Sequence, residues 1–216
     1  MALFQQPSRE VWIVSAVRTP IGSFLGSLSS FTAPELGSIA IREALARAKL
    51  SPQDISEVLL GCVLTSGIGQ APARQAALGA GLSKATPCTT IGKVCGSGLK
   101  AVMQGAQAIQ AGDAEVVVAG GMESMSNVPH ALAKSRQGYK MGHQTLTDLM
   151  IQDGLWDVYN DFHMGQAGEL CAREKKVSRE EQDAFAKRSY ERAQRAQREG
   201  LFSDEIVPIE IRDPKG

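Results

Sequence analysis

Short apolar runs and amphipathic segments alternate along the first 121 residues of the chain. Four short runs predict buried strands, at residues 11–18, 57–64, 86–91 and 114–119. Three segments with alanine or larger apolar residues at helical spacing predict helices between these strands, at residues 32–48, 71–80 and 98–110. This alternation predicts an α/β layer structure in which helices cover both faces of a sheet.

The pattern changes after Gly121. Residues 122–165 contain histidines, methionines and tyrosines without a sustained period. A loop of that length inside a compact domain is usually functional. We therefore expect an α/β domain over residues 1–121 and a loop domain over residues 122–216.

Order returns near the end of the chain. A capping box at residues 178–181 predicts a charged helix that ends at Gly200. The helical spacing predicts that this helix turns five residues inward: Ala184, Phe185, Tyr190, Ala193 and Ala196. Residues 206–211 alternate like a strand, and Pro208 indicates that this strand lies at a sheet edge.

Composition excludes several classes of protein. With 43% hydrophobic and 21% charged residues, the chain has the profile of a soluble globular protein. Its 23 basic and 23 acidic residues cancel, so no overall field draws it to nucleic acid or to an anionic membrane. No apolar run approaches the roughly 20 residues that a membrane span needs. The first ten residues show no targeting pattern, so we expect a cytoplasmic location.

The four cysteines are too scattered for a disulfide framework, and no pair has zinc-ligand spacing. Free thiols are therefore expected. Cys62 and Cys171 are interpreted as structural. Cys88 is interpreted as a core residue of its strand, with a reversible disulfide as the alternative.

Cys95 lies in the sequence GKVCGSG at residues 92–98, between a predicted strand and a predicted helix. The free N–H groups and the dipole at a helix N-terminus stabilise a thiolate and an oxyanion alike. The three glycines, Gly92, Gly96 and Gly98, allow a sharp turn and the close approach of a ligand. A nucleophilic cysteine is one interpretation, and a small buried core thiol is the other. The spacing alone leaves both open.

The wider sequence resembles the thiolases, and within them the short-chain acetyl-CoA C-acetyltransferases. The matching stretches are VRTPIG at residues 17–22, Gln75 in ARQAAL, KVCGSGLKA at 93–101, GGMESMS at 120–126, DGL at 153–155 and HMG at 163–165. The resemblance implies a layered thiolase fold, a mixed sheet covered by helices with an inserted loop domain, of which this chain is about half. One departure is Gly92, where thiolases commonly have asparagine.

The resemblance also implies roles for individual residues. Cys95 corresponds to the nucleophile that accepts the acyl group, and its backbone N–H to half of an oxyanion hole. Leu155 and His163 correspond to residues that line the pantetheine tunnel, and Met164 to a wall of the short acyl pocket. The implied reaction is the reversible Claisen condensation of two acetyl-CoA to acetoacetyl-CoA and CoA. CoA thioesters are substrates in it, and neither a cofactor nor a metal is implied. Glu123 is as well placed to tie down its own loop as to contact substrate.

Three motifs of the thiolases are missing from this sequence: a Gly-His-Pro histidine, an Asn-Glu-His asparagine and a second cysteine in Cys-x-Gly. They belong to the second half of the family fold. The resemblance therefore implies a companion C-terminal half, and a dimer or tetramer of the complete unit. Two alternatives stay open: another condensing enzyme of the superfamily, such as a ketoacyl synthase, and a non-catalytic half that binds acyl-CoA or assembles with a partner.

Overall fold

A three-stranded parallel sheet forms the centre of the computed structural model, which describes residues 9–211. Its strands are β1 (Glu57–Gly61), β2 (Cys88–Ile91) and β3 (Val117–Gly121), in the order β2-β1-β3. In this register Val58 lies beside Cys88 on one side and Val118 on the other. Because all three strands are parallel, their carboxyl ends meet at one edge of the sheet.

Helices cover both faces of this sheet, as the alternating pattern predicts. Helices α1 (Ala33–Ala48) and α2 (Pro72–Gly79) lie on one face, where Val58 and Leu60 join the main hydrophobic core. Helix α3 (Ser97–Ala111) lies on the other face. A Cβ at Gly105 of α3 would come within 3.1 Å of Val117 Cγ1, so this helix packs closely on β3. The α/β fold class is confirmed.

Local sequence signals set the helix ends where they were expected. The capping box at Thr32 begins α1, with the Thr32 N–H donating to Glu35 Oε2 at 2.8 Å. The same arrangement at Ser178 begins α5 (Arg179–Arg198). All predicted helices and three of the five predicted strands are present, with bounds within three residues of those expected.

The two other predicted strands are wrong. Residues 11–18 and 206–211 form only an isolated parallel bridge at Arg18 and Ile206, where Arg18 N donates to Glu205 O at 2.8 Å. The apolar side chains of residues 12–14 are exposed, and this segment lines a groove of about 540 Å³ opposite the outer edge of β3. β-Branched residues favour extended backbone, but a strand forms only where a neighbour accepts its hydrogen bonds.

The second part of the described chain has short elements. Two small antiparallel pairs join β4 (His130–Ala131) to β5 (Thr147–Asp148) and β6 (Trp156–Asp157) to β7 (Phe162–His163). Helix α4 follows at Met164–Glu174. The boundary expected at residue 121 stays a prediction.

The burial predicted for α5 is wrong at four of the five positions. Only Ala196 is buried, whereas Phe185 is 64% and Tyr190 72% exposed, and Ala184 and Ala193 are exposed too. The apolar face of α5 has the expected spacing, but nothing within residues 9–211 covers it at these positions. Among the helices of the same residues, none has the length and apolar character needed to cross a membrane.

Candidate active site

Cys95 lies in the loop of residues 92–98, here called the nucleophile loop, which joins the carboxyl end of β2 to the first turn of α3. Its side chain is exposed, so the interpretation as a buried core thiol is wrong. The exposed thiol stands next to the N-cap, Gly96, at the N-terminus of α3, where the first backbone N–H groups have no acceptor within the helix. The arrangement is suited to binding an anion or to stabilising an oxyanion that develops during a reaction.

The sharp turn of the nucleophile loop is made at Val94, which has φ of +46°. The sequence pattern predicts this turn at the three glycines, and that prediction is wrong. None of the three has a positive φ, and a Cβ at Gly92 would meet nothing within 4 Å. A β-branched residue in the left-handed region is strained, because its side chain crowds its own backbone.

A different glycine is required by close packing. A Cβ at Gly61, the last residue of β1, would lie 2.5 Å from both Gly98 N and Ser97 C. The first turn of α3 therefore rests directly on the backbone at the end of β1. A Cβ at Gly121 would likewise come within 3.3 Å of Gly98 Cα. These glycines determine how deeply the helix that follows Cys95 sits on the sheet.

The carboxylate of Glu123 connects the loops that follow β3 and β1. Its Oε2 accepts from Val63 N at 2.9 Å and its Oε1 from Leu64 N at 3.2 Å. Of the two roles left open for Glu123, the structure supports tying down backbone, although the backbone belongs to the loop after β1 rather than to its own. The sequence gives no signal for this pairing, because the partners are about 60 residues apart.

The other three cysteines are free and differ in their surroundings. Burial, with a further contribution from the negative Glu123 carboxylate, raises the pKa of the Cys62 thiol to about 12. Burial also raises the pKa of Cys88. Cys171 lies exposed on α4 and so is not part of the core, and its interpretation as structural stays a prediction.

The three residues expected to bind substrate lie in one short stretch. Leu155 ends a π-helical turn at Ile151–Leu155, and the next residue, Trp156, pairs with His163 across the β6–β7 hairpin. Met164 begins α4 and is partly exposed. The structure thus brings Leu155, His163 and Met164 together. We call residues 154–164 the binding turn.

His163 is held by the helix that follows it. Its Nδ1 accepts a hydrogen bond from Gly165 N at 3.0 Å, and its backbone N–H donates to Gln166 Oε1 at 3.0 Å. With Nδ1 accepting, the proton of a neutral ring is on Nε2, which then acts as a donor. A ring held in this way is suited to donating to a ligand rather than to removing a proton.

The binding turn is packed against the same edge of the sheet as the nucleophile loop. A Cβ at Gly154 would lie 3.2 Å from Leu64, a buried residue three positions beyond the end of β1. Leu64 is itself held by Glu123. The sequence pattern gives no signal for the supporting role of Leu64, and for Glu123 it predicts contacts only with its own loop or with substrate.

Comparisons with known proteins find relatives that match almost the whole chain. A family model described as thiolase, N-terminal domain, matches residues 11–216. Acetyl-CoA acetyltransferase 1 of Arabidopsis thaliana is 57% identical over 208 residues, which are 96% of this chain and 50% of that protein. The acetyl-CoA acetyltransferase of Cupriavidus necator is 56% identical over 207 residues, 96% of this chain and 53% of that protein.

A solved structure matches as well. The Acat5 thiolase from Ascaris suum, in a crystal structure in complex with coenzyme A, superposes with a TM-score of 0.90 and 42% identity. The match covers 93% of this chain and 52% of that one. The chain therefore spans about half the length of the curated relatives and of the solved structure that it matches.

Proposed function

We propose, since this chain belongs to the thiolase family, that it supplies the nucleophile and part of the substrate site of an acetyl-CoA C-acetyltransferase. The reaction is the reversible condensation of two acetyl-CoA to acetoacetyl-CoA and CoA. The observation that carries the proposal is the exposed Cys95 on a strained loop at the N-terminus of α3. The named relatives support the choice of acetyl-CoA as the substrate.

Cys95 accepts the acetyl group in the first half of the reaction. Its thiolate attacks the thioester carbonyl carbon and the new S–C bond forms; the bond to the CoA sulfur then breaks, and the leaving CoA takes a proton from an acid of the C-terminal half. The Cys95 backbone N–H, beside the start of α3, stabilises the oxyanion. A second acetyl-CoA then loses an α-proton, and its carbanion attacks the acetyl-cysteine and releases the Cys95 thiolate.

Leu155, His163 and Met164 bind the substrate rather than take part in proton transfer. The side chain of Leu155 and the Nε2–H of His163 face the pantetheine arm, and Met164 limits the acyl chain to a short one. The hydrogen bond from Gly165 N to His163 Nδ1 supports a binding role, because it occupies the nitrogen that would otherwise accept a proton.

A C-terminal half completes the enzyme and supplies the proton-transferring groups. The exposed face of α3 supports this: Leu99 is 68% exposed, and Val102 and Met103 beside it are exposed as well. Residues at i, i+3 and i+4 share one helix face, and an apolar face of this kind marks an interface. We expect the complete unit to form a dimer or a tetramer, with residues 122–165 contributing contacts. The cytoplasmic location stays a prediction.

The test is to follow acetylation of the chain, combined with its C-terminal half, by mass spectrometry after mixing with acetyl-CoA. We expect one acetyl group on Cys95 and none in Cys95→Ser, because a serine hydroxyl is far less nucleophilic near neutral pH. Cys171→Ser is the matched control, since Cys171 is also exposed, and it should be acetylated like the parent.

The outcomes also separate the alternatives. Acetylation retained in Cys95→Ser would contradict the proposal. An acetyl-enzyme that free CoA does not cleave back to acetyl-CoA would favour another condensing enzyme, such as a ketoacyl synthase. CoA binding without any acetylation would favour a non-catalytic half.

A further inference from the structure

Ser97 is the buried side chain of the nucleophile loop. It is 3% exposed, whereas Cys95 and the two residues before it are exposed. A hydroxyl taken out of water must find hydrogen-bond partners, because an unpaired buried polar group is costly. The partners that Ser97 has found indicate what it does.

Both partners lie on the other side of Cys95. Ser97 Oγ accepts a hydrogen bond from Lys93 N at 2.8 Å and donates to Val94 O at 2.6 Å. The side chain thereby closes a small ring around the backbone that presents the Cys95 thiol. The backbone N–H of Ser97 also donates to Val94 O, at 3.1 Å.

This is not ordinary helix capping. Ser97 is the first residue of α3, and its N-cap, Gly96, makes no side-chain cap. A capping serine precedes its helix and accepts from an N–H group two or three residues further along the chain. Ser97 instead bonds backward, to the loop that precedes the helix.

The residue that Ser97 holds is the strained one. Val94 has φ of +46°, a conformation that a β-branched residue adopts only when its surroundings impose it. One hydrogen bond of Ser97 is made to the Gly92–Lys93 peptide and the other to the Val94–Cys95 peptide, so the two bonds flank the backbone of Lys93 and Val94. Together they restrain this two-residue stretch and with it the left-handed φ of Val94.

We propose that Ser97 is a positioning residue for the nucleophile: its hydroxyl holds Val94 in the left-handed conformation, and this conformation places the Cys95 thiol and backbone N–H for acyl transfer. The inference rests on the proposed role of Cys95. It assigns to Ser97 no contact with substrate. Its effect should therefore appear in the reactivity of Cys95 and in kcat, with substrate binding unchanged.

The experiment compares Ser97→Ala with the parent in the assembled enzyme, the chain with its C-terminal half. Three quantities are measured: the rate of Cys95 alkylation by iodoacetamide, with Cys171 as the internal reference, the kinetic constants kcat and KM, and Tm. We expect alkylation of Cys95 and kcat to fall about tenfold, the effect of losing two modest hydrogen bonds, with KM within about twofold of the parent.

Ser38→Ala is the matched control for stability alone. Ser38 is also a buried serine, and its Oγ lies within hydrogen-bond distance of Pro34 O at 2.8 Å and Ala76 O at 2.9 Å, between α1 and α2. This variant should lower Tm and leave the alkylation of Cys95 unchanged. If Ser97→Ala likewise lowers Tm without changing Cys95 reactivity or kcat, the inference is overturned.

A double-mutant cycle tests the route through Val94. Glycine adopts positive φ without strain. In Val94→Gly, residue 94 therefore no longer needs the Ser97 hydroxyl to hold its positive φ. In the Val94→Gly background we expect Ser97→Ala to change kcat by about twofold or less, a clear departure from additivity. A full tenfold loss in that background would overturn the inference. Failure of the proposed function is read separately, from acetylation that persists without Cys95.

Discussion

The nucleophile loop and the binding turn lie at the same edge of the sheet but are built differently. The nucleophile loop rests on backbone contacts: Gly61 has no space for a Cβ beneath the first turn of α3. The binding turn is a short hairpin with two residues in each strand, followed by a helix cap, and its partly exposed side chains are held by near neighbours. We therefore expect small steric changes beneath α3 to alter the rate, and truncations in the binding turn to alter substrate affinity.

Gly61→Ala should have the largest effect. The added methyl would overlap the backbone of Ser97 and Gly98, so α3 must move and carry the nucleophile loop with it. We expect kcat to fall by on the order of 100-fold, as misplacement of a reacting group by about 1 Å can do. Stability should fall by roughly 1–3 kcal/mol, the usual cost of overpacking.

The control for that change is Gly92→Ala in the nucleophile loop itself. A Cβ at Gly92 meets nothing within 4 Å. This variant should keep the parent's kcat to within about twofold, since surface substitutions usually have small effects. Steady-state kinetics measure kcat for the two variants, and urea unfolding measures their stability. Equal losses in the two variants would break the contrast between buried and open glycines.

His163 provides the corresponding test in the binding turn. His163→Ala loses both the imidazole and the cap of α4, whereas His163→Asn keeps an oxygen that can accept from the cap N–H groups. Both should raise KM for acetyl-CoA about tenfold, the effect of losing one good hydrogen bond, with kcat nearly unchanged. Only the alanine variant should also lose about 1 kcal/mol of stability. A collapse of kcat with KM unmoved would assign His163 to the chemistry.

Glu123→Gln should weaken the support that both regions share. The Glu123 carboxylate accepts hydrogen bonds from Val63 N and Leu64 N. In the glutamine variant, one of these two N–H groups would face the side-chain NH₂ group and lose its acceptor. We expect a loss of about 1–3 kcal/mol in the free energy of unfolding, the cost of an unsatisfied group. KM should rise because Leu64 supports Gly154. Glu115→Gln, the same change at an exposed position, should show neither effect in urea unfolding or in kinetics.

The smallest expected effect is on the free energy of unfolding at alkaline pH. Folding raises the pKa of Cys62 from 9.0 to about 12, so the folded state holds this proton more tightly than the unfolded state. The resulting stability is fully present below pH 9 and is lost as the pH rises towards 12. Cys62→Ala should therefore lose less stability than the parent between these limits. Cys171→Ala, at an exposed thiol, should follow the parent. Unfolding in urea at several pH values measures the difference.

Much of the α/β layer and the place of Cys95 could be predicted from the sequence. The capping boxes at Thr32 and Ser178 begin helices where they were expected, because the side chains that cap a helix are its immediate neighbours. The position of Cys95 between a strand and a helix followed from the same local signals. Leu155, His163 and Met164 came from the resemblance rather than from the pattern, and their roles stay proposals.

The sequence by itself determined where the elements of the layer begin and end, because hydrophobic spacing and capping act between near neighbours. Only the tertiary structure decided that residues 11–18 stay outside the sheet and that the apolar face of α5 is exposed. It also decided that Val94 rather than a glycine makes the turn before Cys95. The first two depend on what a distant segment provides: a strand to pair with, or a surface to cover a face. The third depends on the buried hydroxyl of Ser97, a near neighbour whose helix rests on the end of β1.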